Sequence, residues 1–519
     1  MFVDILNNMN LTQVIQETNF KVILPIGAKK LANIFKHIAE SDNSARVWID
    51  GDCDTDGYLS ARQIQLVFDA IGHTNYFITK HNYKRHVINE VYFNNVLKEE
   101  NPDYIIILDS SSNSTDIMDI CINKNKELII IDHHDTYLTR STLPNNITII
   151  NPRIDSNERN QVSPLNDLSC GALCSLLVEF IMQTQFSEDA YKLNGEHFIC
   201  GYITLYSDSC PFSLYNIAYA KMVVNRRYPL PKYVECLYGK YSVLAKYFVS
   251  WTFVPRINAM IREEEFDMVY DFIFYYDKFI KKYSVDVIKN IHKKSKEYVT
   301  SLKEDSVLED YETFKVAHLP NLTRARNYTG LVAQKFVEEY NLPCLGIMEA
   351  NNIYYGSVRT PYDINLLDSF KFVCKADGHP SAFGIEIDKA NYSNILYTIK
   401  NLIPPNKLEC GINKDAIFLS IDKFASNDRE LLNDLKLMGI YNEFSGNGLP
   451  PAYITLTLTS NHKIYRNDNY TNIVYGALRI ICFNGYPDKG DKLVICPRYS
   501  NREIPELIVE NIILGGKYV

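Results

Sequence analysis

The densest chemistry in the chain is the segment DGDCDTDG (50–57), in which Asp50, Asp52, Asp54 and Asp56 occupy alternate positions. Like charges packed into one short turn repel each other, and a divalent cation is their natural counter-charge. The pattern D-x-D-x-D-G also opens an EF-hand loop. Counted from Asp52, however, the closing position of that loop is Gln63, where a bidentate Glu is needed. Three later segments supply more ligand types: ILDSSSNS with Asp109, IIIDHHDT with Asp132, His133 and His134, and GYITLYSDSC with Asp208. Adjacent histidines after a strand point in different directions, so at most one of His133 and His134 faces a given ion. Oxygen and imidazole ligands without thiolates suit Mn²⁺ or Mg²⁺ better than structural zinc. Such ions, sharing a carboxylate, lower the pKa of a water and aim it at phosphorus. The spacing predicts metal-dependent phosphoester hydrolysis, with a plain acidic turn as the bland alternative.

These side chains need a frame. Arg46–Asp50, Asn75–Thr79, Tyr104–Asp109 and Leu128–Asp132 read as buried strands, three of them ending on Asp. Short β-branched runs separated by amphipathic stretches predict a parallel sheet covered by helices. Ligands in such folds bind beyond the carboxyl ends of the strands.

DCDTDG (52–57), LDS (108–110), DHH (132–134) and YSDS (206–209) together resemble, in order, the four motifs of the DHH phosphoesterase superfamily. The resemblance implies two divalent cations, Mn²⁺ or Mg²⁺. Asp54 and Asp109 would hold one, and Asp56, Asp109, His133 and Asp208 the other, with Asp109 bridging. His134 would contact the scissile phosphate or move a proton, and Asp52 and Asp132 would orient the ligands. Many members carry His where this chain has Asp50, which is therefore a further candidate ligand through oxygen. The catalytic set is His134, Asp109 and Asp132.

Later regions resemble the rest of one branch of that family. YYGSVRT (354–360) and KADGHPSAFGIEI (375–387) are similar to its substrate-binding domain, with Asp377-Gly378-His379 where the family has Gly-Gly-His. Ser357, Arg359, Gly378 and His379 are the implied substrate-binding residues, since glycine amides, imidazole and guanidinium all suit phosphate. LMGIYNEFSGNGLPPAYITL (437–456) resembles the lead-in to the oligonucleotide-binding barrel of RecJ exonucleases. The β-rich runs that follow fit a small OB-like barrel, with Tyr465, Arg466, Arg479, Phe483, Arg498 and Tyr499 as candidate contacts. Between them, 271–303 has helical periodicity without Pro or Gly and reads as one long connecting helix. Its lysines (Lys281 to Lys296) form either a phosphate groove or a solvated face.

The expected architecture is α/β. It comprises a parallel-sheet DHH catalytic domain (1–250), a connecting helical segment (251–306), a smaller α/β substrate-binding domain (307–405) and an OB-like barrel (406–519). The length of 519 residues agrees with about three domains of ~100–200 residues. The resemblance implies a 5′→3′ exonuclease that cuts single-stranded DNA to 5′-mononucleotides in repair, recombination or replication. Single-strand-binding or other replication and repair proteins are the implied partners. The alternatives are a nanoRNase or cyclic-dinucleotide phosphodiesterase, and a non-catalytic replication scaffold of the same fold. Scattered cysteines without C-x-x-C spacing, the absence of an apolar run of ~18 residues and a start without a basic leader predict a cytoplasmic protein with no membrane association. The formal charge of −8 argues against nonspecific coating of nucleic acid and assigns part of the acidity to the cation site.

Overall fold

A computed structural model describes the chain except residues 17–19, 239–243, 362–365, 380, 403–415, 423–427, 446–448, 468–469, 484, 500–504, 515–516 and 519. The described residues form two compact units. One joins 1–79, 85–254 and 413–519; the other joins 80–84 and 255–412. The expected boundary at 405/406 lies outside the described residues.

The first unit is built on a parallel sheet of β1 (Val47–Gly51), β2 (Tyr76–Ile78), β3 (Tyr104–Leu108), β4 (Glu127–Ile131) and β5 (Ile147–Ile150), in the order β2-β1-β3-β4-β5. Strands β1, β3, β4 and β5 are buried on both faces, which is why they read as unbroken apolar runs. On one face Trp48, Ile105, Ile107, Leu128 and Ile130 pack with Phe93, Leu97 and Ile117 from the helices Glu90–Glu100 and Thr115–Asn123. The alternate residues Val47, Ile49, Ile106 and Ile129 serve the other face. There, the helices Ala28–Glu40, Thr55–Ile71 and Cys170–Gln185 contact β5, β1 and β4. The strand β5 was not among the sequence expectations.

The same unit contains a C-terminal sheet of β12 (Ile417–Ser420), β13 (Ala452–Thr457), β14 (Lys463–Arg466), β15 (Thr471–Tyr475), β16 (Leu478–Cys482), β17 (Lys492–Arg498), β18 (Glu506–Leu514) and β19 (Lys517–Tyr518). Its order is β12-β13-β17-β18-β16-β15-β14, with β19 on β18. The β-rich expectation for this region holds. Among the described residues no pairing joins β12 to β14, so the strands follow an open path rather than a closed ring. The helix Arg429–Asn442 ties this sheet down: the Asn442 side chain donates to the carbonyls of Ala452 and Pro497 and accepts from the Ala452 amide.

The second unit is a mixed six-stranded sheet, β10-β11-β9-β8-β7-β6, made of β6 (Val307–Asp310), β7 (Lys315–His318), β8 (Cys344–Ala350), β9 (Ile353–Arg359), β10 (Lys375–His379) and β11 (Ala382–Asp388). It is antiparallel except for β7 against β8. The run 271–303 falls on three helices, Phe266–Phe274, Tyr276–Lys282 and Val285–Glu304, rather than one. Tyr275 and Tyr283 leave the helical region at φ −140° and −133°. The break lets Phe279 pack edge-on against Phe272 at 4.9 Å, while Lys278 and Lys282 both reach Asp271 at 2.8 Å. Tertiary packing of aromatics here overrides helix periodicity.

Candidate metal centre

Register places the acidic motifs side by side. Gly51 of β1 pairs with Leu108 of β3, and Leu108 pairs with Ile131 of β4, so Asp52, Asp109 and Asp132 leave one edge of the sheet together. The Asp52 amide donates to the Leu108 carbonyl (3.1 Å) and the Asp109 amide to the Ile131 carbonyl (2.9 Å), which continues the ladder one step past the strands. Asp109 turns there with φ +65°, a left-handed conformation that Asp tolerates better than bulky residues do. Such strain collects where a side chain is aimed for function.

Asp54 caps the Thr55–Ile71 helix, accepting from the Gly57 amide at 3.0 Å. Asp208 ends the Glu196–Ser207 helix. Ligand atoms of Asp52, Asp54 and Asp109 lie within 4.8 Å of one another, as do those of Asp109, His133 and His134, and those of His133, Asp208 and Cys210. Asp109 and His133 link the three groups. His133 Nε2 is 3.4 Å from Asp109 Oδ1 and 3.2 Å from Asp208 Oδ2.

Of the sequence-derived set, Asp54, Asp109, His133, His134 and Asp208 are thus brought together. Asp132 stands behind them. Its Oδ1 accepts from the His134 ring Nδ1 (2.8 Å) and from the His133 and His134 amides, and its Oδ2 accepts from the Ser112 amide. Burial would raise its pKa, but His134, His133 and the Ser112 bond outweigh burial and hold it well below the usual carboxylate range. Asp56 is gripped by the start of the Cys170–Gln185 helix, whose Cys170 and Gly171 amides donate to it at 3.0 and 2.7 Å, with the Ser60 hydroxyl at 3.2 Å. Only glycine fits at 171, because an added Cβ would stand 2.6 Å from Thr204 and 2.9 Å from the Asp56 carboxylate.

Asp50 is placed differently. The Arg85 guanidinium meets it at 2.5 Å, with both side chains buried, and Arg85 also lies over the Tyr92 ring at 4.7 Å. Sequence reading missed Arg85, which is 35 residues away in a loop with no motif. It also missed Asp52 as a close companion of Asp54 and Asp109, and Cys210, although Cys210 stands in the quoted run YSDSC. Oxygen and nitrogen donors without sulfur were expected; the structure adds a thiol.

The electrostatics suit a cation. Burial and repulsion from Asp52 and Asp208 push Asp54 up to about 6, against the Gly57 amide. Asp109 and Asp56 are pushed well above the usual range by burial and by their acidic neighbours. Asp109 Oδ1 is buried and accepts no hydrogen bond among the described residues. A buried acceptor without a donor is costly, whereas a cation would satisfy it and relieve the repulsion. The residues present fit a divalent metal.

Residues 46–202 match the family model described as DHH family, N-terminal domain. Crystal structures of RecJ from Thermus thermophilus, in complex with Mn²⁺ and with Mg²⁺, superpose with TM-scores of 0.68 and 0.64 at 14% and 13% identity. They cover 96% and 98% of this chain and, in each case, 73% of the RecJ chain. Residues 46–202 thus match a DHH N-terminal domain, and the fold of the chain is RecJ-like. An exonuclease RecJ bound to manganese is also similar, with a TM-score of 0.56 and 17% identity over 76% of this chain and 99% of that one. None of the curated proteins matches by sequence. No helix among the described residues is long and apolar enough to cross a membrane.

The RecJ-like chain has its second group of expected site residues in the mixed sheet. Ser357 on β9 pairs with Gly384 of β11, which pairs with Asp377 of β10, and Gly378 follows with φ +131°. Arg359 is partly buried and donates to the Val358 carbonyl at 2.8 Å; among the described residues no carboxylate pairs with it. Burial and the nearby Arg262 lower its pKa to about 10. The helix Thr329–Tyr340 begins beside it. An added Cβ on Gly330 would meet the Arg359 guanidinium at 2.6 Å, and Thr329 and Ser357 share a hydroxyl contact of 3.1 Å. The His379 side chain lies outside the described residues.

Proposed function

We propose that this protein is a divalent-cation-dependent 5′→3′ exonuclease that hydrolyses single-stranded DNA to 5′-mononucleotides. The observation that carries the reading is Asp109: a buried carboxylate at positive φ, with an oxygen that accepts no hydrogen bond among the described residues, shared by an all-carboxylate group and a histidine-containing group. Two cations, Mn²⁺ or Mg²⁺, held by Asp52, Asp54 and Asp109 and by Asp109, His133 and Asp208, would supply Lewis-acid activation of water and phosphate. The chain's own part is orientation and proton handling. Asp132, kept ionised, accepts from His134 Nδ1 and fixes the ring. Proton exchange with the substrate therefore runs through His134 Nε2, and the imidazolium that forms is stabilised by Asp132.

Polarity follows from the mixed sheet. A guanidinium with no carboxylate partner among the described residues, two hydroxyls and a helix start converge at Arg359, Ser357, Thr329 and Gly330, which together suit a terminal phosphate. The family resemblance adds Gly378 and His379 to that subsite as candidates. The exposed Tyr465, Phe483, Lys463 and Arg479 of the C-terminal sheet suit stacked bases and backbone phosphates, as single-strand platforms require. We propose the domain limits 1–250, 251–306, 307–405 and 406–519 with these roles, a cytoplasmic site of action, and replication or repair proteins as partners.

The test is cleavage by the full chain with Mn²⁺ of 5′-labelled and 3′-labelled single strands, duplex DNA and short RNA, beside Asp109→Ala. Labelled mononucleotide released at once from the 5′ end of single-stranded DNA, and lost in Asp109→Ala, is the expected result. Preference for dinucleotides or RNA would move the assignment to a nanoRNase, and no cation-dependent cleavage would make the chain a scaffold.

A further inference from the structure

The cation-binding edge has two chemically different halves. Asp52, Asp54 and Asp109 offer oxygen alone, whereas the second group adds His133 and a sulfur, Cys210, to Asp208. The Cys210 Sγ lies 3.7 Å from Asp208 Oδ2, and the residue is 3% exposed.

Backbone geometry holds that sulfur in place. The Glu196–Ser207 helix ends with Asp208 as its cap, and Ser209 takes φ +53°. The Ser209 amide then donates to the Tyr206 carbonyl (3.4 Å) and the Cys210 amide to the Leu205 carbonyl (3.1 Å). This pair of bonds is a Schellman closure, which normally places glycine at the left-handed position. Here a serine carries the cost of that conformation, and the outcome is that residues 208 and 210 return to the same ligand group. Asp109 Oδ1, buried and without a hydrogen bond among the described residues, lies 3.4 Å from the Nε2 of His133, a member of that group.

We infer that Cys210 Sγ is a ligand of the cation held by His133 and Asp208, so that this half accepts soft ions of the Zn²⁺, Co²⁺ or Cd²⁺ class while the Asp52–Asp54–Asp109 half keeps hard ones. Sulfur selects soft ions and carboxylates select hard ones, so one bridging carboxylate separates two different preferences. The alternative role for Cys210 is as the small apolar residue that commonly packs beneath a Schellman turn. The inference rests on the cation reading of the site proposed above.

The experiment is titration of the full chain, and of its Cys210→Ser, Cys210→Ala and Asp109→Ala variants, with Co²⁺, Cd²⁺ and Mn²⁺, read by absorption and calorimetry without nucleic acid. The wild type is expected to show a sulfur-to-cobalt charge-transfer band that both Cys210 variants lose. Cd²⁺ affinity should fall about tenfold or more in Cys210→Ser while Mn²⁺ affinity moves by less than about threefold. Cobalt bound by the wild type without the band, or a band that survives in Cys210→Ala, overturns the ligand role and leaves the cation site standing. Cobalt binding indistinguishable between wild type and Asp109→Ala would overturn both.

Discussion

Glu443→Gln is expected to stabilise the protein at neutral and alkaline pH, although it deletes a charge. Glu443 follows the Arg429–Asn442 helix and is buried against the N-terminal half of the same unit. The Tyr202 hydroxyl donates to its Oε1 at 2.9 Å and the Lys246 amide donates to the same oxygen, while the Tyr206 hydroxyl donates to its backbone carbonyl at 3.2 Å. The Lys246 ammonium is turned to the carbonyls of Asn442 and Ser445 instead of the carboxylate. Burial therefore dominates, and it carries the pKa from 4.5 up to about 7 despite these donors. Between those values the folded protein keeps a proton that the unfolded chain has released, so the contribution to stability is full below pH 4.5 and is lost as pH rises to about 7. At about 1.4 kcal/mol per pH unit, the interval is worth roughly 3 kcal/mol. Gln copies the protonated acid in shape and does not titrate. Denaturant unfolding of both proteins across the range, subtracted pH by pH, cancels every other group. The difference should be constant in acid and shift by roughly 3 kcal/mol toward the Gln variant above neutrality. A difference that is flat across the whole range would refute the argument, because Glu443 would then ionise in the folded state as it does in the unfolded one.

Two further outcomes follow from named contacts. Arg85→Met should leave Asp50 as an uncompensated buried charge and cost about 3–5 kcal/mol in denaturant unfolding, with most of the loss recovered in Asp50→Asn/Arg85→Met. Recovery with Mn²⁺ affinity retained would make Asp50 the counter-charge of Arg85; loss of Mn²⁺ affinity in Asp50→Asn alone would make it a ligand. Arg359→Met should raise KM for 5′-phosphorylated strands about tenfold or more, from the roughly 1.5–3 kcal/mol of a charge-assisted bond, and leave 5′-hydroxyl strands nearly unchanged. Equal effects on both substrates in steady-state cleavage would remove Arg359 from the terminal-phosphate subsite.

What was legible in the sequence, and what was not, divides along the reach of the interactions. Strands β1, β3 and β4 could be read because burial on both faces leaves continuous β-branched runs, and the acidic motifs could be placed because each begins one residue after its strand. Parallel register then does the rest, since equal strand ends bring Asp52, Asp109 and Asp132 to one edge without further information. Strand β5 has only four residues and follows a pair of asparagines, which gives periodicity little to work on. The Asp50–Arg85 pair was not legible because it joins a strand end to a loop 35 residues later, and either side chain alone looks like solvent-facing charge or a ligand. Cys210 was hidden for a subtler reason. A serine at a left-handed turn carries no glycine signal, so nothing in YSDSC announces that its Asp and Cys face the same way. The path of the C-terminal strands depends on β12 pairing β13 and β16 pairing β18 in parallel across an intervening helix and an intervening strand, where local pattern is silent. The helix ending at Asp208 shows what such distant pairing does for the site: Tyr202 and Tyr206 on it hold Glu443 from the C-terminal sheet's own helix. Asp208, a proposed ligand, therefore ends a helix that is held partly by a residue more than two hundred places away, so the C-terminal segment contributes to the frame of the proposed site.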